Sequence, residues 1–131
     1  MTAYRTYPNA KKAILAFGAP AFLAGEAAEI LDGKVDVHIV NGLPLAPGVL
    51  RRLVRRYPRG VVTGEDGLIG TVDAVLRGFA GVVAAVAADQ RVPAAHVGIT
   101  DPTIAPSEGH METWAHFGIT SQALMTAAKG L

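Results

Sequence analysis

Residues 35–40 have the sequence VDVHIV, in which apolar and polar side chains alternate before a closing valine. A period of two is typical of a β-strand and places successive side chains on opposite faces of a sheet. The two predicted faces are Val35, Val37 and Ile39, and Asp36, His38 and Val40. This stretch is the starting point for the fold prediction.

Three further short apolar runs occur along the chain, at 12–17 (KAILAF), 60–63 (GVVT) and 96–100 (HVGIT). Because helical patterns separate them, they predict buried strands of a mostly parallel sheet. Residues 3–7 predict a first strand that turns at Pro8 and Asn9, which indicates an antiparallel edge strand. The fold class is therefore α/β, a three-layer α/β/α sandwich with about five strands and helices on both faces.

Four helical patterns lie between and after these strands. The first follows Pro20, the second opens at Pro47, the third runs over 72–86, and the last begins after an N-cap at Thr120. The predicted inner stripe of the second helix is Leu50, Leu53, Val54 and Tyr57. The predicted inner stripe of the third is Val72, Val75, Leu76, Phe79, Val82, Val83 and Val86.

Composition limits the possible classes of protein. The 131 residues predict one domain over 1–131, and 12 basic against 11 acidic residues give a net charge of +1, which favours neither nucleic acid nor membrane lipid as a partner. The chain has no cysteine, which excludes thiolate catalysis and Cys-ligated metals. Its longest apolar run, 79–88, is too short for a membrane span, and we expect a cytoplasmic protein.

Two motifs have both a functional and a structural interpretation. The glycine-bearing segment 64–70 (GEDGLIG) predicts a turn before a helix, where phosphate can bind, but Glu65 and Asp66 would repel phosphate and instead favour the positive end of the helix dipole. Five arginines lie at Arg51, Arg52, Arg55, Arg56 and Arg59. Without interleaved aromatic residues they indicate a solvated helix face, suited to acidic residues of a neighbouring subunit, rather than a nucleic-acid site.

The segment 101–116 contains two histidines and three carboxylates. His110 and His116 are six residues apart and would point to different sides of a helix, so no metal site is predicted. No serine has the setting of a nucleophile elbow. Polar residues do follow the carboxyl ends of predicted strands, the edge at which open α/β sheets bind ligands. They are Asn41, Glu65, Asp66 and Asp101.

The order of motifs resembles the C-terminal domain of transketolase and its relatives, which include deoxyxylulose-phosphate synthase, 2-oxoacid dehydrogenase β chains and pyruvate:ferredoxin oxidoreductases. The similar segments extend over about 12–128. They are 16–18 (AFG) with the helix at 22–31 (FLAGEAAEIL), 37–46 (VHIVNGLPLA), 61–70 (VVTGEDGLIG), 97–101 (VGITD) and 117–120 (FGIT).

The resemblance implies a non-catalytic domain or small subunit that supports assembly and packs on a pyrimidine-binding domain. In that family thiamine diphosphate and a divalent metal bind between two other domains, so no catalytic residue, metal ligand or cofactor is expected in this chain. The implied partner is a transketolase-like catalytic subunit or domain, in a homo- or hetero-oligomer. Because the chain is short and begins at Met1, we expect an excised domain or the small piece of a split enzyme.

The residues expected nearest to a substrate are those of the strand-end loops. His110 is the first candidate, and the others are Asp101, Glu65, Asp66 and Asn41. The alternative function is a stand-alone α/β domain that binds a small polar molecule at the same edge of the sheet through Asp101, Asn41 and Glu65.

Overall fold

The computed structural model describes residues 2–17, 34–40, 48–68, 78–99 and 121–131. These ranges contain five strands and three helices. The strands are β1 (Thr2–Arg5), β2 (Lys12–Phe17), β3 (Val35–Val40), β4 (Gly60–Leu68) and β5 (Ala94–Ile99). The helices are α1 (Val49–Arg55), α2 (Gly78–Gln90) and α3 (Ser121–Lys129).

The strands form one sheet in the order β1-β3-β2-β4-β5. Neighbours from β3 to β5 run parallel, whereas β1 pairs antiparallel with β3 at the edge. The predicted α/β fold with an antiparallel first strand is confirmed. β1 cannot pair in parallel with β2 because the few residues between them are too short for a crossover.

Both faces of the sheet are buried, as the apolar runs separated by helical patterns predicted. Val35 and Val37 pack with Leu124, Met125 and Ala128 of α3. On the opposite face Val40 packs with residues of α1 and α2, of which Leu53 and Val83 are members. The helices therefore cover two sides of one sheet, which completes the three-layer architecture.

The glycine-bearing segment differs from its prediction. The turn expected over 64–70 is wrong as far as Leu68, because β4 continues to that residue. Glu65 pairs in parallel register with Phe17 of β2, so ladder hydrogen bonds to the neighbouring strand extend the strand in spite of the local turn preference of glycine.

The helix stripes are partly confirmed. Leu50, Leu53 and Val54 are buried in α1, and Tyr57 is buried two residues beyond its end. In α2 the prediction is wrong at Val82, which is 45% exposed, while Ala80 and Ala87 are buried instead. Because α2 is apolar around most of its circumference, spacing alone does not define its buried face.

Other predicted features lie outside the described residues. These are the helix after Pro20, the opening at Pro47, the residues Val72, Val75 and Leu76, and the N-cap at Thr120. Within the described ranges, no helix has the length and apolarity that crossing a membrane requires.

Candidate functional site

Three neighbouring strands have residues in register near the carboxyl edge of the sheet. Phe17 of β2 is in register with Val40 of β3 on one side and with Glu65 of β4 on the other. Asn41 follows Val40 directly in the sequence, but Asn41, Asp101 and His110 lie outside the described residues. Of the five predicted site residues, only Glu65 has a described side chain, and Asp66 is placed in β4 by its backbone.

Glu65 is buried and contacts the beginning of α2. Its side chain is 4% exposed and accepts hydrogen bonds from the backbone N–H of Ala80 at 2.8 Å and of Phe79 at 3.4 Å. The first N–H groups of a helix have no partner within the helix, and a carboxylate there also interacts favourably with the helix dipole. The interpretation of Glu65 as a partner of the helix dipole agrees with this geometry.

Gly78 makes this approach possible. It has φ of +62°, and a Cβ at this position would lie 2.9 Å from Oε2 of Glu65. Phe79 then stacks on Phe17, with ring centroids 5.8 Å apart. The hydrogen bonds of Glu65 therefore connect β4 to α2, and the ring contact of Phe79 with Phe17 connects α2 to β2. These contacts lie at the edge where the substrate-proximal residues were predicted. Whether Glu65 also lies near a substrate stays a prediction.

A second polar group lies on the face of the sheet that α1 covers. The Tyr57 hydroxyl donates to Oδ2 of Asp36 at 2.6 Å, and Nε2 of His38 lies 2.7 Å from the same hydroxyl. The backbone N–H of Tyr7 donates to Oδ1 of Asp36 at 2.7 Å. Asp36, His38 and Tyr57 are all buried, so they form a hydrogen-bond network that is shielded from solvent beneath α1.

The proton positions in this network follow from the hydrogen-bond partners of each group. Since the Tyr57 hydroxyl has one proton and gives it to Asp36, Nε2 of His38 must donate to the phenol oxygen. Burial lowers the pKa of His38; nearby Asp36 opposes this and Arg56 adds to it. Burial, together with the hydrogen bond to Asp36, raises the pKa of Tyr57 far above its usual value. The network is thus held with a neutral imidazole and a neutral phenol.

This network positions structural elements. It joins β3 to the segment that follows α1 and to the segment that follows β1. The alternation at 35–40 predicts one face for Asp36 and His38 but no role for them, and the helical spacing predicts Tyr57 only as part of an apolar stripe. The available signal was the presence of two ionisable residues within an otherwise apolar buried strand, since such groups require hydrogen-bond partners.

A similar pair joins β4 and β5. Thr63 and His96 are register neighbours, and Oγ1 of Thr63 lies 2.7 Å from Nδ1 of His96. Thr63 is fully buried, and burial lowers the pKa of His96. A hydroxyl that can either donate or accept satisfies the imidazole within the sheet.

Comparison with known proteins gives one kind of match. No protein-family model matches the sequence, and no curated protein matches it. Solved structures do match. One is a split-gene transketolase, described as an inactive tetramer of the beta4 type. It aligns with a TM-score of 0.75 and 21% identity, and the match covers 98% of this chain and 41% of that chain.

Two other structural matches are transketolases. The enzyme from Leishmania mexicana aligns with a TM-score of 0.66 and 22% identity, over 98% of this chain and 17% of its own. The enzyme from Campylobacter jejuni subsp. jejuni aligns with a TM-score of 0.63 and 15% identity, over 98% and 18%. The chain therefore spans less than half the length of each of these proteins. At these identities the matches establish a transketolase-like α/β fold.

Proposed function

We propose that this chain is a non-catalytic C-terminal-type domain or small subunit of a thiamine-diphosphate-dependent, transketolase-like enzyme. The observation that carries the proposal is the match of 98% of the chain to 41% of a split-gene transketolase. A companion polypeptide would then supply the remaining domains. The motif order at the carboxyl ends of the strands supports the same assignment.

The geometry of Glu65 is consistent with an architectural role. Its two oxygens face the backbone N–H groups of α2, and the missing Cβ of Gly78 leaves room for them. A carboxylate held in this way stabilises the junction of β4 and α2. Activation of a cofactor or substrate is then assigned to the companion chain.

The described residues do not fit the divalent metal of the cofactor. Among them, no three His, Asp or Glu side chains are grouped closely enough to hold a metal ion. As the resemblance to transketolases implies, the proposal places the diphosphate, its metal and the aminopyrimidine ring in the companion domains. A cytoplasmic location also remains part of the proposal.

The test is reconstitution with a companion chain. The purified chain, the companion and the mixture are each assayed for ketol transfer with thiamine diphosphate and magnesium, and the mixture is examined by size-exclusion chromatography. We expect transfer from the mixture and co-elution of the two chains. Transfer catalysed by this chain alone, or failure of every candidate companion to associate with it, would overturn the proposal.

The alternative, a stand-alone binding domain at the carboxyl edge, has a separate readout. A small polar metabolite that raises the melting temperature of the isolated chain would support it. Glu65→Gln should weaken that stabilisation if Glu65 binds the metabolite. If Glu65 is structural, the variant lowers the melting temperature equally with and without the metabolite.

A further inference from the structure

The opposite edge of the sheet contains a basic groove. A cavity of about 590 Å³ lies where β2 and β3 begin and α3 ends. Its lining residues are Asn9, Lys11, Lys12, Lys34, Val35, Pro58, Arg59, Ala128 and Lys129. Five of these nine described residues are cationic and none is acidic, although the whole chain has a net charge of only +1.

The register of the sheet aligns three of these cations. Lys12 pairs with Val35 on one side and with Gly60 on the other, so the preceding residues Lys34, Lys11 and Arg59 lie side by side across three strands. The backbone N–H of Arg59 donates to the carbonyl of Lys11 at 3.1 Å, which extends the ladder to this row. Since adjacent strands are about 4.8 Å apart, the row is about 10 Å long.

The other two cations have a structural role. Nζ of Lys12 donates to the carbonyl of Ala128 at 2.7 Å, and Lys129 lies in the last turn of α3. Cations at that position are stabilised by the negative end of the helix dipole. Within the part of the chain that the structure describes, the row of Lys34, Lys11 and Arg59 therefore remains the uncompensated part of the groove lining.

The acidic residue nearest to this row in the described sequence is already engaged. Asp36 follows Val35, but it is buried and accepts hydrogen bonds from Tyr57 and from the backbone of Tyr7. Like charges at adjacent strand positions repel each other. The exposed side chains of Lys11, Lys34 and Arg59 are thus arranged so that a bound anion would relieve the repulsion.

We propose that this groove binds a small polyanion that carries two or three linked phosphoryl groups. The row of Lys34, Lys11 and Arg59 supplies the charge, and Arg59 offers a planar guanidinium that can contact two oxygens of one phosphoryl group. Val35 and Ala128 are buried in the lining. The cavity volume is that of a small-molecule site, and a nucleic acid or protein partner would require a larger surface.

The test is isothermal titration of the full chain with tripolyphosphate and, in a separate arm, with adenosine triphosphate. In Lys34→Gln/Arg59→Gln we expect the Kd for tripolyphosphate to rise by about tenfold or more, which corresponds to the loss of charge-assisted hydrogen bonds. The matched control is Arg51→Gln/Arg52→Gln, which makes the same change in net charge at the exposed start of α1. It should leave the Kd unchanged.

A charge-conserving variant separates loss of binding from loss of folding. Lys34→Arg keeps the positive charge and leaves the guanidinium of Arg59 in place, so it should keep the affinity, and circular dichroism should report the same fold in all variants. Equal Kd values for the two probes would assign recognition to the phosphoryl chain, and tighter binding of adenosine triphosphate would assign it to a nucleotide. Either result supports the proposal.

Three results would overturn it. The first is no measurable heat with either probe in low salt. The second is an equal loss of affinity in the groove variant and the α1 variant, which would indicate a diffuse effect of net charge. The third is binding of an oligonucleotide or an acidic peptide that the groove variant abolishes, while neither small probe binds.

Discussion

The hydroxyl of Tyr57 donates a 2.6 Å hydrogen bond to Asp36, although the two residues are 21 positions apart in the sequence. The same oxygen lies 2.7 Å from Nε2 of His38. One phenol therefore satisfies an acceptor and a donor that are both buried on β3. This relationship fixes the end of α1 against the sheet, and stability measurements can test it.

Tyr57→Phe should destabilise the fold strongly. The substitution leaves one oxygen of Asp36 and Nε2 of His38 buried without that partner, and two such losses cost about 2–4 kcal/mol in the free energy of unfolding. Urea denaturation measures the change. Tyr7→Phe is the control, because the described contacts of Tyr7 with this network use its backbone N–H. Similar losses in the two variants would contradict the assigned role.

Stability should fall as the pH is lowered below 6.5, the ordinary pKa of histidine. Burial lowers the pKa of both His38 and His96 in the folded chain, so the unfolded chain binds more protons in this window. The free energy of unfolding therefore rises with pH through the window and falls with acid. Denaturation at a series of pH values measures the slope.

His38→Gln separates the two histidines. Glutamine can still donate a hydrogen bond towards Tyr57 but does not titrate, so the dependence on pH below 6.5 should become shallower. His96→Gln provides the comparison on β5, on the same face of the sheet but two strands beyond β2. An unchanged slope in His38→Gln would show that His38 does not contribute to the acid sensitivity.

Glu65→Gln should weaken the junction of β4 with α2. The amide can keep a hydrogen bond to Ala80 but loses the charge that faces the first turn of the helix, at a cost of about 1–2 kcal/mol in a buried setting. Asp89→Asn removes an exposed acid from the other end of α2, and there the change should be neutral or slightly stabilising. Equal destabilisation by the two substitutions would contradict the dipole interaction.

Gly78→Ala should cost about 1–3 kcal/mol, because alanine is strained at a positive φ and its Cβ would lie 2.9 Å from Oε2 of Glu65. Gly48→Ala is a matched control at the start of α1. Its Cβ would also meet an atom within 3 Å, but that atom is the guanidinium nitrogen Nη1 of Arg52 at 2.7 Å, and φ is −90°. Since the arginine can move, the control should change stability by less than about 0.5 kcal/mol. Thermal denaturation of both variants checks the contrast.

Sequence patterns predicted the strands and their faces, because the backbone geometry of a strand sets the period of its side chains. The alternation at 35–40 predicted which side chains share a face, and the short connection at Pro8 and Asn9 predicted an edge strand. The same reasoning was wrong for residues 64–68 and for Val82. In both places the local pattern permits more than one outcome, and contacts with distant segments select among them.

What the sequence alone establishes here is local. It predicts most of the strands and helices, that the two faces of β3 carry different side chains, and that 35–40 includes two ionisable residues. The partners of those residues depend on the tertiary fold. Tyr57 reaches Asp36 and His38 because α1 packs on that face, and Glu65 meets α2 because β4 continues beyond Gly64. The same holds for the basic groove, since the parallel register aligns Lys34, Lys11 and Arg59 from three separate parts of the chain. Hydrogen bonds and charge–charge interactions depend on distance in space, which periodicity along the chain does not specify.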